Sequence, residues 1–324
     1  MNLNFSIFRK LLSSAPAQAI LGVLAFSFLF LQAYHLAPVS EDSQLVAVSI
    51  FGQFRVLPWW LCFLFEFVCI IGSLLIMVRI NSNHRFVDRM SYPLAVFLFI
   101  GLTSHPQVLL HPEVLFSGFL GVLVVYLLLE IYNQSNISGI IFQSAVICSV
   151  ASLFYLPSII LVVLILVGLS IFRPFELRSL LLILIGFALL YFYLFSLTYI
   201  FDWELNFPVN LNPQVGESIL KLPNEKNFGL LGIVVLVIVS MGRLYSMRQR
   251  LIVRQRNQLA VMFIACMFYF GIGLFFGFSD TLLMLLSLSS IFFLFFYNSI
   301  NKKWIVDSLL IIILIYNSFV TIFS

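Results

Sequence analysis

The stretch "GIIFQSAVICSVASLFYLPSIILVVLILVGLSIFR", residues 139–173, holds the choice that fixes the architecture of this chain. Read as one helix, it inverts the sidedness of everything downstream. Read as two short helices that turn at Tyr155-Leu156-Pro157, it does not. Proline ends a helix because its ring clashes with the preceding turn and it has no N–H to donate. A bend is therefore available at Pro157, and the distribution of charge decides that it is used.

With the bend, apolar runs able to cross a hydrocarbon layer of roughly 30 Å fall at about 17–36, 58–79, 90–104, 113–131, 139–155, 157–173, 179–201, 228–245, 258–277, 281–299 and 305–323. With the N-terminus in the cytoplasm, only Arg55, Lys221 and Lys226 lie outside, so 14 of the 17 Lys and Arg lie inside. Merging residues 139–173 leaves seven inside and ten outside. Basic residues concentrate on the cytoplasmic side. The sequence thus predicts an all-α, polytopic transmembrane bundle of about eleven spans, N-terminus in and C-terminus out. A second short pair, 90–104 and 113–131, turns at His105-Pro106.

Composition agrees. Hydrophobic residues are 62% and charged residues 9% of the 324, against roughly 45–50% and 25% in soluble domains. No water-soluble interior hides that much apolar surface, so residues 1–324 read as one integral-membrane domain of the bacterial inner membrane. The longest polar stretch, residues 202–227, is too short to fold alone, so function is expected in the membrane or at its faces. Arg9 and Lys10 precede an apolar run longer than the 7–15 residues of a signal-peptide core. It reads as an uncleaved first span, with cleavage after Ala37 as the alternative. Cys62, Cys69, Cys148 and Cys266 all sit in apolar runs and form no CxxC, which suits packing residues better than a disulfide framework. The stretch "GRLYSMRQRLIVRQRNQ", residues 242–258, reads as a basic cytoplasmic loop over 243–257. Anionic headgroups attract such charge by about 1 kcal/mol per residue, so no nucleic acid is implied. The loop anchors topology, or docks a cytoplasmic partner.

On the outer side, loop 37–57 carries Glu41, Asp42 and Arg55 with an apolar pattern suited to an interfacial helix, ahead of Trp59 and Trp60 at headgroup level. The turn "SHPQVLLHPEVLF", residues 104–116, brings His105, His111 and Glu113, and loop 202–227 opens with Asp202 and Glu204. Carboxylates and imidazoles that converge can hold a divalent cation or take a proton from a hydroxyl. The plainer alternative stands beside each: acids that favour helix N-termini and histidines that cap a hairpin. The two histidines, six apart and each followed by proline, do not share a helical face, so a zinc cage is not expected. Glu66 lies about eight residues, roughly 12 Å, inside the second span. An ionised carboxylate there costs several kcal/mol. It is either a proton relay or a neutral side chain bonded to a neighbouring helix.

Residues 140–202, with "ASLFYLPS", the turn "RPFELRS" and "LIGFALLYF", resemble an uncharacterised polytopic integral-membrane family of Bacteroidota, more loosely back through "HPEVLFSGFLGVLVVYLLLEIY". That resemblance brings no activity. The layout of a first span, an outer loop with an acidic pair and interfacial helix, then paired short spans, is similar to GT-C glycosyltransferases. This likeness implies a lipid-linked, polyprenyl-phosphate sugar as donor at the periplasmic face. It implies Glu41 or Asp42 as base, and His111 and Glu113 in a second acidic site. A leaving phosphate needs donors or a cation beside the base. Arg55, His105 and Lys221 are the outer candidates, and a divalent ion on outer carboxylates, Asp202 and Glu204 among them, would add charge.

Three functions stay open: an outer-face transferase, a non-catalytic subunit of an envelope complex, and a solute transporter using Glu66. Nucleotide, hydrolase-nucleophile and zincin motifs are absent.

Overall fold

The computed structural model of the protein describes residues 15–36, 59–87, 92–105, 108–109, 111–133, 137–172, 176–201, 228–247, 251–276, 278–300 and 303–323. Among these are eleven α-helices and no strand. They are α1 (Ala15–Leu36), α2 (Trp59–His84), α3 (Tyr92–Thr103), α4 (Pro112–Glu130), α5 (Ser138–Phe154), α6 (Ile160–Phe172), α7 (Leu177–Phe201), α8 (Phe228–Met247), α9 (Val253–Phe276), α10 (Phe278–Ser299) and α11 (Lys303–Phe323). Six of them are long and apolar enough to cross a membrane: α2, α4, α7, α9, α10 and α11. A helix satisfies its own backbone groups, which is what an apolar solvent demands.

The stretch 139–173 breaks. Tyr155 adopts an extended backbone (φ −144°, ψ 101°), a single 3-10 turn covers Leu156–Ile159, and α6 begins at Ile160. The two legs run in opposite senses, as contacts at their ends show. Ser158 bonds Ser117 near the start of α4, Oγ to Oγ at 2.7 Å. Phe172, at the far end of α6, meets the ring of Tyr132 just past the end of α4 (6.1 Å, edge on). Gly168 lies against Leu128 on the way. The chain therefore goes out along α5, turns at Tyr155–Pro157, and returns along α6.

Helix α10 is the axis. Of its apolar stretch 83% is buried, against 11% for α7 at the periphery. One apolar cluster joins α4, α5, α6 and α9 to α10 through residues such as Val124, Cys148, Ile165, Met262 and Phe292. The other joins α1, α3, α8 and α11 to the opposite side of α10 through Ala25, Leu98, Ile233, Phe293 and Leu310. Helix α7 docks through Ile183 and Gly186. A Cβ on Gly186 would lie 2.9 Å from that of Ala145 and 3.1 Å from the Phe142 carbonyl, so α5 and α7 approach backbone to backbone. Small residues at such contacts are how helices pack where the solvent gives no hydrophobic drive.

The two ends of the bundle differ in chemistry. At one end Gln258 Nε2 meets His84 Nδ1 at 2.8 Å and Asn83 donates to Glu130 at 3.1 Å. Arg254 and Arg79 stand over the rings of Tyr132 and Tyr126. Every described Lys and Arg gathers here: Arg79, Arg85, Arg178, Arg243, Arg254, Arg256 and Lys303. The basic segment expected as loop 243–257 is mostly helix. Helix α8 runs to Met247 and α9 starts at Val253, so charged residues extend both helices beyond their apolar spans. The opposite end holds His105, His111, Glu113, Tyr155, Asp280 and Asn317. There Asn317 donates to Thr103 Oγ1 (3.3 Å) and Ser104 Oγ (2.8 Å), and Gln32 donates to the Thr103 carbonyl (3.2 Å). These bonds bolt α11 and α1 to the end of α3.

Candidate functional site

Helix α3 has 12 residues, a rise of roughly 18 Å, too short for the full depth of the bundle. The turn that follows is consequently sunk. His105 N donates to the Leu102 carbonyl (3.2 Å), Val108 N to the His105 carbonyl (3.2 Å), and His111 N to the Val108 carbonyl (3.3 Å). Val108 and Leu109 are buried. A turn expected at the outer surface thus lies inside, and Leu109 lines the same small apolar recess as Glu66.

Pro112 occupies the first position of α4, where its missing N–H costs nothing. His111 stands at the N-cap position without a side-chain capping bond, its carbonyl accepting from Val114 N (3.1 Å) and Leu115 N (3.2 Å). Glu113 is in the first turn, where the positive end of the helix favours a carboxylate. Its Oε1 is 3.6 Å from His111 Nδ1, an ion-pair separation longer than a hydrogen bond. Both residues are buried.

Helix α2 packs against α4 and brings Glu66 into electrostatic reach of Glu113. Cys62, one turn outward on α2, feels both carboxylates. Glu66 is 2% exposed. Aromatic rings wall the site on two sides. Phe65 and Phe116 pack at 5.3 Å and Phe116 meets Phe154 edge on at 4.8 Å. Towards α1, Phe26 packs on Phe67 (4.8 Å) and Phe30 on Phe63 (5.0 Å). On the α1 side a recess bordered by Phe26, Leu29, Phe63, Glu66, Phe67 and Phe99 has room for about one water molecule.

Glu113 therefore stands 3.6 Å from His111 and within electrostatic reach of Glu66. From the sequence Glu66 had no acidic neighbour at its depth. Glu113 becomes that neighbour because the short α3 drops the start of α4 to the level of Glu66. The signal was the brevity of the apolar run before His105. His105 does not join the group. It is half-buried at the end of α3, and burial pushes its imidazole from the ordinary 6.5 down to about 4, so it is neutral at neutral pH. Glu41, Asp42, Arg55, Asp202 and Glu204 lie outside the described residues. Among the described residues no three His, Cys, Asp or Glu side chains are grouped to hold a metal ion. What the arrangement offers is acid–base chemistry: a buried carboxylate beside an imidazole, with a second carboxylate, Glu66, on the edge of an apolar recess.

No protein-family model, curated protein or solved structure matches this chain.

Proposed function

We propose that the protein crosses the bacterial inner membrane eleven times, N-terminus in and C-terminus out, and works at its outer face. There Glu113, with His111 at 3.6 Å, acts as the acid–base centre for sugar transfer from a lipid-linked donor. The buried pair of Glu113 and His111 at the start of α4, within electrostatic reach of Glu66, carries this reading. The gathering of every described Lys and Arg at the opposite end supports the orientation.

In this reaction the acceptor hydroxyl gives its proton to Glu113 as its oxygen bonds the anomeric carbon. The bond from that carbon to the polyprenyl phosphate breaks, and the phosphate leaves as an anion. Arg55 would answer that charge directly, and Asp202 and Glu204 would do so only by holding a divalent cation. Glu113→Gln keeps the shape and removes the base, so transfer from a polyprenyl-phosphate sugar in proteoliposomes should fall 10²–10⁴-fold. Transfer at the wild-type rate would remove Glu113 from the chemistry.

A second reading is favoured by the depth of Glu66: the same three groups relay protons for solute uptake. The two diverge at Glu66→Gln. Loss of proton-driven uptake with transfer intact supports the relay, and unchanged uptake speaks against it.

A further inference from the structure

Helix α2 ends at His84, beyond the apolar run 58–79, and this residue is 5% exposed. Arg85 then takes a positive φ of 48°, which turns the chain out of the helix. Asn81 fixes that turn, its Oδ1 accepting from Val87 N at 3.1 Å. The first turns of α9 fasten onto this corner. Gln255 Nε2 donates to the carbonyls of Arg85 (3.0 Å) and His84 (3.5 Å), at the end of α2 where carbonyls lack helical partners. Gln258 Nε2 lies 2.8 Å from His84 Nδ1, and Arg254 Nη2 lies 3.4 Å from the same nitrogen.

These contacts fix the state of the ring. A guanidinium has donors and no acceptor, so His84 Nδ1 is the acceptor. The imidazole is therefore neutral, with its proton on Nε2, and the Gln258 amide presents its nitrogen. Among the described residues, two charged groups bear on the ring. They are Glu130 on α4, whose carboxylate accepts from Asn83 (3.1 Å), and Arg254 on α9, which stands over Tyr132. Arg79, Arg85 and Arg256 around them are exposed. Toward α10 the neighbours are rings, Phe86 at 5.7 Å and then Phe295. Burial holds the imidazole below its ordinary 6.5, against the pull of Glu130 and with the push of Arg254.

We propose that His84 is the acid-sensitive catch of a latch between α2 and α9, closed while the imidazole is neutral and opened when a proton from water occupies Nδ1. A protonated Nδ1 is a donor that faces two donors. Rotating the Gln258 amide restores one bond, but Arg254 has no acceptor to offer. A second positive charge then stands beside the guanidinium in a buried place, where repulsion is weakly screened. Parting relieves it, because imidazolium and Arg254 are each solvated at headgroup level. The closed form binds the proton more weakly than the open one. It is therefore fully favoured above the ordinary pKa of about 6.5 and loses ground as pH falls. The latch uses none of Glu66, His111 or Glu113, so it stands whatever reaction those residues serve.

The test is dipolar EPR on the full chain in nanodiscs, with the four native cysteines replaced and spin labels on Ser82→Cys and Arg256→Cys, both exposed sites. A single short separation is expected at pH 8. As pH falls below about 6.5 towards 5, a second population should grow, longer by about one helical turn, roughly 5 Å. His84→Gln keeps an acceptor and cannot titrate, so its short separation should persist at pH 5. In Gln258→Glu the new carboxylate accepts from the imidazolium, and the short separation should again persist in acid. That variant carries the readout should His84→Gln fail to fold. Equal separations at pH 8 and pH 5 in the chain with His84 and Gln258 intact would overturn the proposal. So would a lengthening in acid that survives undiminished in either variant.

Discussion

The hairpin of α5 and α6 can be tested by where its two feet emerge. Unbroken, residues 138–172 would make a helix of roughly 52 Å, which overhangs a hydrocarbon layer of roughly 30 Å by more than 20 Å. Broken, α5 rises roughly 26 Å over its 17 residues. The 3-10 turn and the 13 residues of α6 return roughly 28 Å, so each leg matches the layer. Electrostatics agree: merging the legs would take the inside count of Lys and Arg from 14 to seven, and at about 1 kcal/mol each the net loss of seven from the inner face costs on the order of 7 kcal/mol. Gly139 and Glu176 flank the hairpin and are exposed, and a Cβ at Gly139 meets nothing within 4 Å, so cysteine fits there without strain. In a background with the four native cysteines replaced, Gly139→Cys and Glu176→Cys should both resist a membrane-impermeant maleimide in spheroplasts. Both should react once the membrane is opened. Labelling of one foot and protection of the other would refute the hairpin and, with it, the sidedness of α7 to α11.

Three further outcomes follow from local geometry. Gly186→Val pushes a branched side chain into the Ala145 and Phe142 backbone contact, and should destabilise by about 1–3 kcal/mol, read as a lower unfolding midpoint with α7 more open to protease. Asn317→Leu removes the two bonds to Thr103 and Ser104, yet both hydroxyls keep the Ile100 carbonyl as acceptor. At roughly 0.6 kcal/mol per interhelical bond, rising to about 1.7, the loss should be about 1–3 kcal/mol in a reversible denaturation, and a cost above about 4 would mean the bolt does more than tie helices. For His105 the folded pKa of about 4 lies below the ordinary 6.5. The unfolded chain then binds the proton first, so stability is full above about pH 6.5 and falls as pH drops towards 4, by up to about 3 kcal/mol. His105→Gln should flatten that slope, and an unchanged slope would show the imidazole to be solvated.

Apolar runs and the placement of arginines made the helices legible, because each span must satisfy its own backbone in lipid. The break at Tyr155–Pro157 was readable for a different reason: a proline stood where the charge balance required a turn. The ends were less legible. Helix α2 runs through Arg79 to His84, and α9 begins at Val253, well before the apolar run at 258. A helix persists into the headgroup region as long as neighbours such as Gln258 and His84 bond across it. Depth was the least legible feature. Hydropathy counts residues along the chain and is blind to where a helix starts relative to its neighbours. Nothing in "SHPQVLLHPEVLF" reveals that its carboxylate comes within electrostatic reach of Glu66.

That depth has a physical consequence for the site. An acid in a surface loop would titrate in water and contribute little to chemistry. Glu113, brought down with the start of α4, keeps the favourable field of its helix N-terminus, the imidazole of His111 at 3.6 Å and a second carboxylate across the α2 contact. Two carboxylates thus stand within electrostatic reach of each other across the contact of α2 with α4. Shortening α3 is what creates this coupling, since a full-length α3 would lift the turn, and Glu113 with it, away from Glu66. Inserting one helical turn of four apolar residues after Leu98 should therefore separate the two carboxylates by about 6 Å along the helix axis. If the site acts through the pair, that insertion should damage activity as severely as Glu113→Gln, even in protein that still assembles in the membrane. An active insertion variant would show that Glu113 works without Glu66.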